Sequence, residues 1–212
     1  MLEAADKAAF EIAVKEPISN AESERIWNIF IAIDPNWAST FTSQISKWPG
    51  YTRLDQSNVL YQVLHGEVPY YNPEGFADLR FRKDEHPVIR RNATLAEYRT
   101  VSSGGYGFQS VSLPIGAGMY YRIGSSQPHS QQSGLMPIDD GNLVITTKAI
   151  LFTGERTNFR IDYGSILRIE SFVDGFGIHE NYGAGKVFIP ALIGTADEGW
   201  YFYNLVSALS KW

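Results

Sequence analysis

The 212-residue chain contains no cysteine, which excludes disulfides, thiolate metal sites, iron–sulfur clusters and cysteine nucleophiles. Histidine is scarce, and none of His65, His86, His129 and His179 stands at metal-ligand spacing. His65-Gly66-Glu67 would need a cysteine pair to complete a zinc deaminase site, and His179-Glu180 lacks the second histidine of a zincin helix. A basic surplus is missing too: Lys plus Arg number 18 against 23 for Asp plus Glu, a net charge of −5. Residues 1–83 hold 8 cations and 11 anions, and residues 84–212 hold 10 and 12. Neither part carries the positive excess that nucleic acid or an anionic membrane favours. No run approaches the roughly 18 apolar residues of a membrane span. The opening residues MLEAADKAAFEIAVKE place Glu3, Asp6 and Glu11 among alanines, reading as an amphipathic helix rather than a secretory leader, so the expected setting is cytoplasmic.

Phosphate-binding loops and catalytic pairs are equally scarce. Gly104-Gly105-Tyr106-Gly107 leads into a strand pattern where a dinucleotide fingerprint would open a helix. Gly116-Ala117-Gly118 has no Lys-Ser or Lys-Thr after it. Asp139-Asp140-Gly141 has the composition of a turn before a strand, and Ser133 and Ser165 lack the context of a nucleophile elbow. No cofactor, metal site or catalytic residue is expected.

What the chain does have is a change of period. Ser19 and Glu22 form a capping box before a helix burying Ile26, Trp27, Phe30 and Ile31. Asp34-Pro35 opens a second helix carrying Trp37, Phe41, Ile45 and Trp48, which Pro49-Gly50 ends. A weaker helical piece spans about Asp55 to His65, with Gly66 as its left-handed stop. From Phe76 the pattern turns toward strands: PVIRRNATLAEYRT, a Ser/Gly run, GFQSVSLPIGAGMYYRIG, then the polar loop SSQPHSQQSG. Residues 141–191 contain six short apolar runs separated by turn residues. Phe159, Ile161 and Tyr163 alternate with Asn158, Arg160 and Asp162, as a half-buried antiparallel strand requires. Leu167 and Ile169 alternate with Arg168 and Glu170 in the same way. Thr195 and Glu198 then open a terminal helix with Phe202, Leu205, Val206 and Leu209 on its apolar face.

The run GNLVITTKAILFTG, the alternating NFRIDYGSILRIE, then DGFGI, a last short strand and a terminal helix resemble the pleckstrin-homology-like superfamily, in its bacterial PH and GRAM-like branch. Gly141, Leu143, Thr146 or Thr147, and Lys148 before Ile150, Leu151 and Phe152 carry the resemblance, which covers about residues 76–212. It implies an α+β protein: an N-terminal helical region, 1–75, and a PH-like domain, 76–212, built as an antiparallel β-barrel of about seven strands capped by the C-terminal helix. It further implies a non-enzymatic module that binds a protein or peptide beside the terminal helix or at an exposed strand edge. Phosphoinositide-binding members place cations in the first strand-to-strand loop, here SSGGYGFQS at 102–110, which has no Lys or Arg.

Five residues are weak site candidates. Lys148, Arg160 and Lys186 lie on strands that could share a face and hold an anionic ligand. Tyr201 and Trp212 on the terminal helix could meet a partner or a second copy of the chain, with coverage by the N-terminal helices as the favoured reading. A membrane-surface adaptor using the three cations is the first alternative, and an enzyme built on His65, Glu67 and Glu74 in HGEVPYYNPEG is the second.

Overall fold

The computed structural model describes residues 1–14, 17–69, 76, 79–101, 112–114, 120–122, 132–181, 185–190 and 198–211. Four helices come first: α1 (Leu2–Ala13), α2 (Asn20–Ile33), α3 (Trp37–Ser43) and α4 (Pro49–Leu64). Ser19 caps α2 by accepting from the Glu22 N–H. Asp34 joins two helices: its N–H donates to the Phe30 carbonyl at the end of α2, and its carboxylate accepts from the Asn36 N–H and the Thr40 hydroxyl at the start of α3.

Pro49 and Gly50 begin a helix, where the sequence reading had them end one. The reason lies in α1. The carboxylate of Asp6, 7% exposed, accepts from the Gly50 N–H at 3.0 Å and the Tyr51 N–H at 2.8 Å, so α4 receives its N-terminal cap from a residue 44 positions upstream. Proline occupies the first turn, where it has no amide to waste. Glycine is required beside it, because a Cβ at position 50 would stand 1.8 Å from the Asp6 carbonyl oxygen. Gly66, with φ +81°, ends α4 as its position implied.

Among the described residues, nine strands follow: β1 (Pro87–Val101), β2 (Ser112–Pro114), β3 (Tyr120–Arg122), β4 (Gln132–Thr146), β5 (Ala149–Gly154), β6 (Asn158–Asp162), β7 (Ile166–Ser171), β8 (Phe176–Glu180) and β9 (Lys186–Pro190). Helix α5 (Glu198–Leu209) is the last element. Seven strands make one antiparallel sheet in the order β6-β5-β4-β1-β9-β8-β7, curled into a half-barrel, while among the described residues β2 and β3 pair with each other. The sheet is thus two meanders, β1-β4-β5-β6 and β7-β8-β9, rejoined where β9 pairs with β1 from Ala93 to Glu97. The sequence reading placed a strand of this series between 107 and 124. β2 and β3 lie there, and the rest of that segment is outside the described residues; β4, a neighbour of β1, begins inside the segment read as a polar loop.

Asp139-Asp140-Gly141 is also strand rather than turn. Asp139 serves a turn elsewhere, accepting from the Arg156 and Thr157 N–H groups between β5 and β6 at 2.8 and 2.7 Å. Gly141 is needed for packing, since a Cβ there would meet the Thr153 carbonyl oxygen of β5 at 2.4 Å.

Two large apolar clusters share α4. Its first half joins Ala9, Ile26, Phe30 and Trp37, with Trp37 stacked on Phe30 at 4.4 Å. Its second half, through Val59, Leu60 and Val63, enters the main core with Leu143, Phe152, Phe176, Phe188, Phe202 and Leu205. The helical region therefore packs directly on the half-barrel and its terminal helix. Arg53 of α4, 5% exposed, adds a guanidinium 3.6 Å from the ring centre of Trp200. Among the described residues, no helix is long and apolar enough to cross a membrane.

Candidate functional site

The three candidate cations do not converge. Arg160 lies in an ion network on the outer face of β6. Its Nη1 reaches both oxygens of Glu85 at 3.0 Å, and its Nε reaches Asp162 at 2.7 Å. Arg82 holds Asp162 from the other side at 3.0 Å. Burial alone would raise the Glu85 carboxyl, but the Thr146 hydroxyl, the Arg82 N–H and the Arg160 guanidinium outweigh it and hold the group below its ordinary value. Phe159 and Arg160 are successive in the strand and face opposite ways. Lys186 sits 5.2 Å from the Phe159 ring centre, on the inner side, and is paired with Glu180 at 2.5 Å. Lys148, in the turn between β4 and β5, donates to the Lys83 carbonyl at 2.8 Å. Each cation is thus committed to a separate intramolecular contact.

The aromatic candidates fare differently. Tyr201, 2% exposed, belongs to the main core with Val59, Leu60 and Val63, so the ring offered to a partner by the sequence reading is covered by α4. Trp212 lies outside the described residues. Of the proposed enzyme loop, His65 stacks on Tyr61 at 4.0 Å and Glu67 accepts from Asn20 at 3.1 Å, while Glu74 lies outside the described residues. Among the described residues, no three His, Asp or Glu side chains form a group that could hold a metal ion.

Among the described residues, two surface hollows stand out. The larger, about 420 Å³, lies over the centre of the sheet and is lined by Asn92, Thr94, Asp140 and Asn142 with Ile189. Within it Thr94 donates to Asp140 at 2.5 Å, and Asn142 accepts from Arg90 at 3.2 Å. The strands beneath it, β4, β1 and β9, are paired on both sides or within the sheet, so its backbone has little to offer a ligand.

The second hollow is a groove of about 320 Å³ between β7 and α5. One wall is Tyr163 with Ile166, Leu167, Arg168 and Ile169 of β7, and the other is Tyr203 and Ser207 of α5 with Ser210 and Lys211 in the turn that follows it. Tyr203 and Ser207 are four apart on one face of α5, and Ser210 and Lys211 follow in the turn after it, with the two serines leaving the space between the rings and the lysine. β7 is the last strand of the sheet, pairing only with β8. Every second N–H and C=O along it therefore points away from β8, and among the described residues no backbone group from another element pairs with Leu167 to Ser171 on that side.

Leu167 is the residue that sequence reasoning misplaced. Strict alternation would bury it with Ile169, yet it is 67% exposed. A bulge between Ile166 and Arg168 inserts one unpaired residue, so Ile166 and Ile169 pack on the core while Leu167 stands out at the rim of the groove. The other edge strand, β6, is guarded by charge: Arg160 and Asp162 are tied to Glu85 and Arg82. On β7 the neighbouring charges are Arg168 paired with Glu170, and His179 of β8 at 3.1 Å from the same carboxylate. No protein-family model matches the chain, and no curated protein sequence is similar to it.

Proposed function

We propose that the chain is a PH-like recognition module that binds an extended segment of a protein partner by strand addition to β7, in the groove beside α5. The PH-like reading is supported by the two antiparallel meanders rejoined through β1 and β9, and by a terminal helix whose Phe202, Leu205, Val206 and Leu209 are buried in the core of the half-barrel. The single observation that carries the binding reading is the outer edge of β7, unpaired among the described residues, running along a groove with the exposed Leu167 at its rim. An added strand would satisfy the outward N–H and C=O groups of β7, and its alternate side chains would enter the space left by Ser207 and Ser210. Main-chain pairing supplies affinity in such a mode, while the groove supplies selection.

The experiment is selection of a random twelve-residue peptide library displayed on phage against immobilised protein, with Leu167→Asp as the counter-target. Peptides retained by the wild type should lose about tenfold in affinity on the variant, equivalent to roughly 1.4 kcal/mol. Enrichment indifferent to Leu167→Asp would overturn the reading. Sedimentation with anionic vesicles tests the adaptor alternative: binding that disappears with salt would favour it.

A further inference from the structure

The groove has a direction and a charged end, and together these specify its occupant further. We infer that the partner segment lies antiparallel to β7 and carries a carboxylate at its downstream end, held by Lys211. This inference rests on the strand-addition reading above.

The direction follows from how α5 is anchored. Its first turn sits over the end of β7: the Gly199 N–H donates to the Val173 carbonyl at 3.3 Å, and a Cβ at position 199 would stand 1.9 Å from the Phe172 carbonyl oxygen. From there the twelve-residue helix runs about 18 Å back along a six-residue strand of about 20 Å, the two forming opposite walls of one groove. Lys211 is therefore placed at the Tyr163–Ile166 end, where β7 begins. Every pairing in the seven-stranded sheet is antiparallel, which is also the more favourable ladder for an added strand. A strand antiparallel to β7 finishes where β7 starts, beside Lys211.

The charge follows from the lining. The groove residues include two cations and no anion, in a chain of net charge −5. Arg168 is already paired with Glu170, whereas Lys211 is exposed and no carboxylate among the described residues lies within ion-pair distance of it. The end of α5 contributes about half a negative charge, which the full charge of Lys211 exceeds. A carboxylate on the partner is the complement, and a lysine or arginine at that place is disfavoured.

The test uses peptides from the phage selection, resynthesised with a fluorescent label and measured by anisotropy. Three versions of each are compared: acidic residues at the C-terminal end, the same residues moved to the N-terminal end, and lysines in their place. One exposed ion pair corresponds to about a two- to fivefold preference for the first version. The preference should vanish in Lys211→Ala and in 0.5 M salt, while binding itself persists. Equal affinity of all three versions for the wild type would overturn the inference and leave strand addition standing. Binding unaffected by Leu167→Asp would instead overturn strand addition itself. A peptide-free dimer by light scattering that Leu167→Asp dissolves would make a second copy of the chain the occupant and overturn the separate-partner inference.

Discussion

Replacing Glu85 by Gln should destabilise the protein by about 3 kcal/mol, the lower end for breaking a buried ion pair. The lower end applies because the Arg160 side chain keeps 20% exposure, although that of Glu85 has none. The glutamine amide would turn a donor toward the Arg160 guanidinium, whose Nη2 already has no hydrogen-bond partner. In a chain of 212 residues that loss corresponds to a fall in Tm of about 6–12 °C. The double variant Glu85→Gln with Arg160→Met removes both charges and should recover to within about 1 kcal/mol of wild type. The pH dependence has a definite sign. Glu85 and Asp162 are both held below their ordinary values when folded, so their contribution is complete above the unfolded pKa and disappears as pH falls through the folded one. From about pH 5 downward the wild type should lose stability more steeply than Glu85→Gln. Urea unfolding at 25 °C, followed by circular dichroism and tryptophan fluorescence at several pH values, measures all of this. A Glu85→Gln variant within about 0.5 kcal/mol of wild type, with the same acid profile, would refute the reasoning.

Other expected outcomes concern the cap, the core and the rim. Asp6→Ala removes two hydrogen bonds from the start of α4 and should cost about 2–4 kcal/mol in urea unfolding, from the lost cap and the buried amides left behind. Gly50→Ala should be at least as damaging, because backbone rather than a flexible side chain stands in the way of its Cβ. Phe202→Ala, fully buried and stacked on Phe176 at 5.7 Å, should cost about 3–5 kcal/mol by thermal unfolding. Leu167→Asp, by contrast, should change stability by no more than about 0.5 kcal/mol, which separates its effect on peptide binding from any effect on folding.

The parts of the fold that sequence revealed are those decided locally. Asn158 to Tyr163 alternates because one face lies on the core and the other on the Glu85 network, and the six apolar runs from 141 onward correspond to the end of β4 and to β5 through β9. The terminal helix was legible for the same reason. What escaped depends on contacts distant in the chain. The start of α4 is set by Asp6, and Asp139 looks like a turn residue until Arg156 and Thr157 are seen to donate to it. Tyr201 could be read either as a partner contact or as covered by the N-terminal helices, and the second holds because α4 packs on α5 and widens its buried arc. Tyr203, two residues on, is the ring that α5 contributes to the groove. The exposure of Leu167 was invisible to an alternation argument, because a bulge shifts the register without any glycine or proline to announce it.

Amide hydrogen exchange with and without a selected peptide tests the strand-addition account most directly. Pairing with the open edge of β7 should slow exchange at outward-pointing amides among Leu167 to Ser171, and leave those of β6, from Asn158 to Asp162, unchanged. Protection appearing at β6 or at the Asn92–Asn142 hollow, with β7 unaltered, would contradict it.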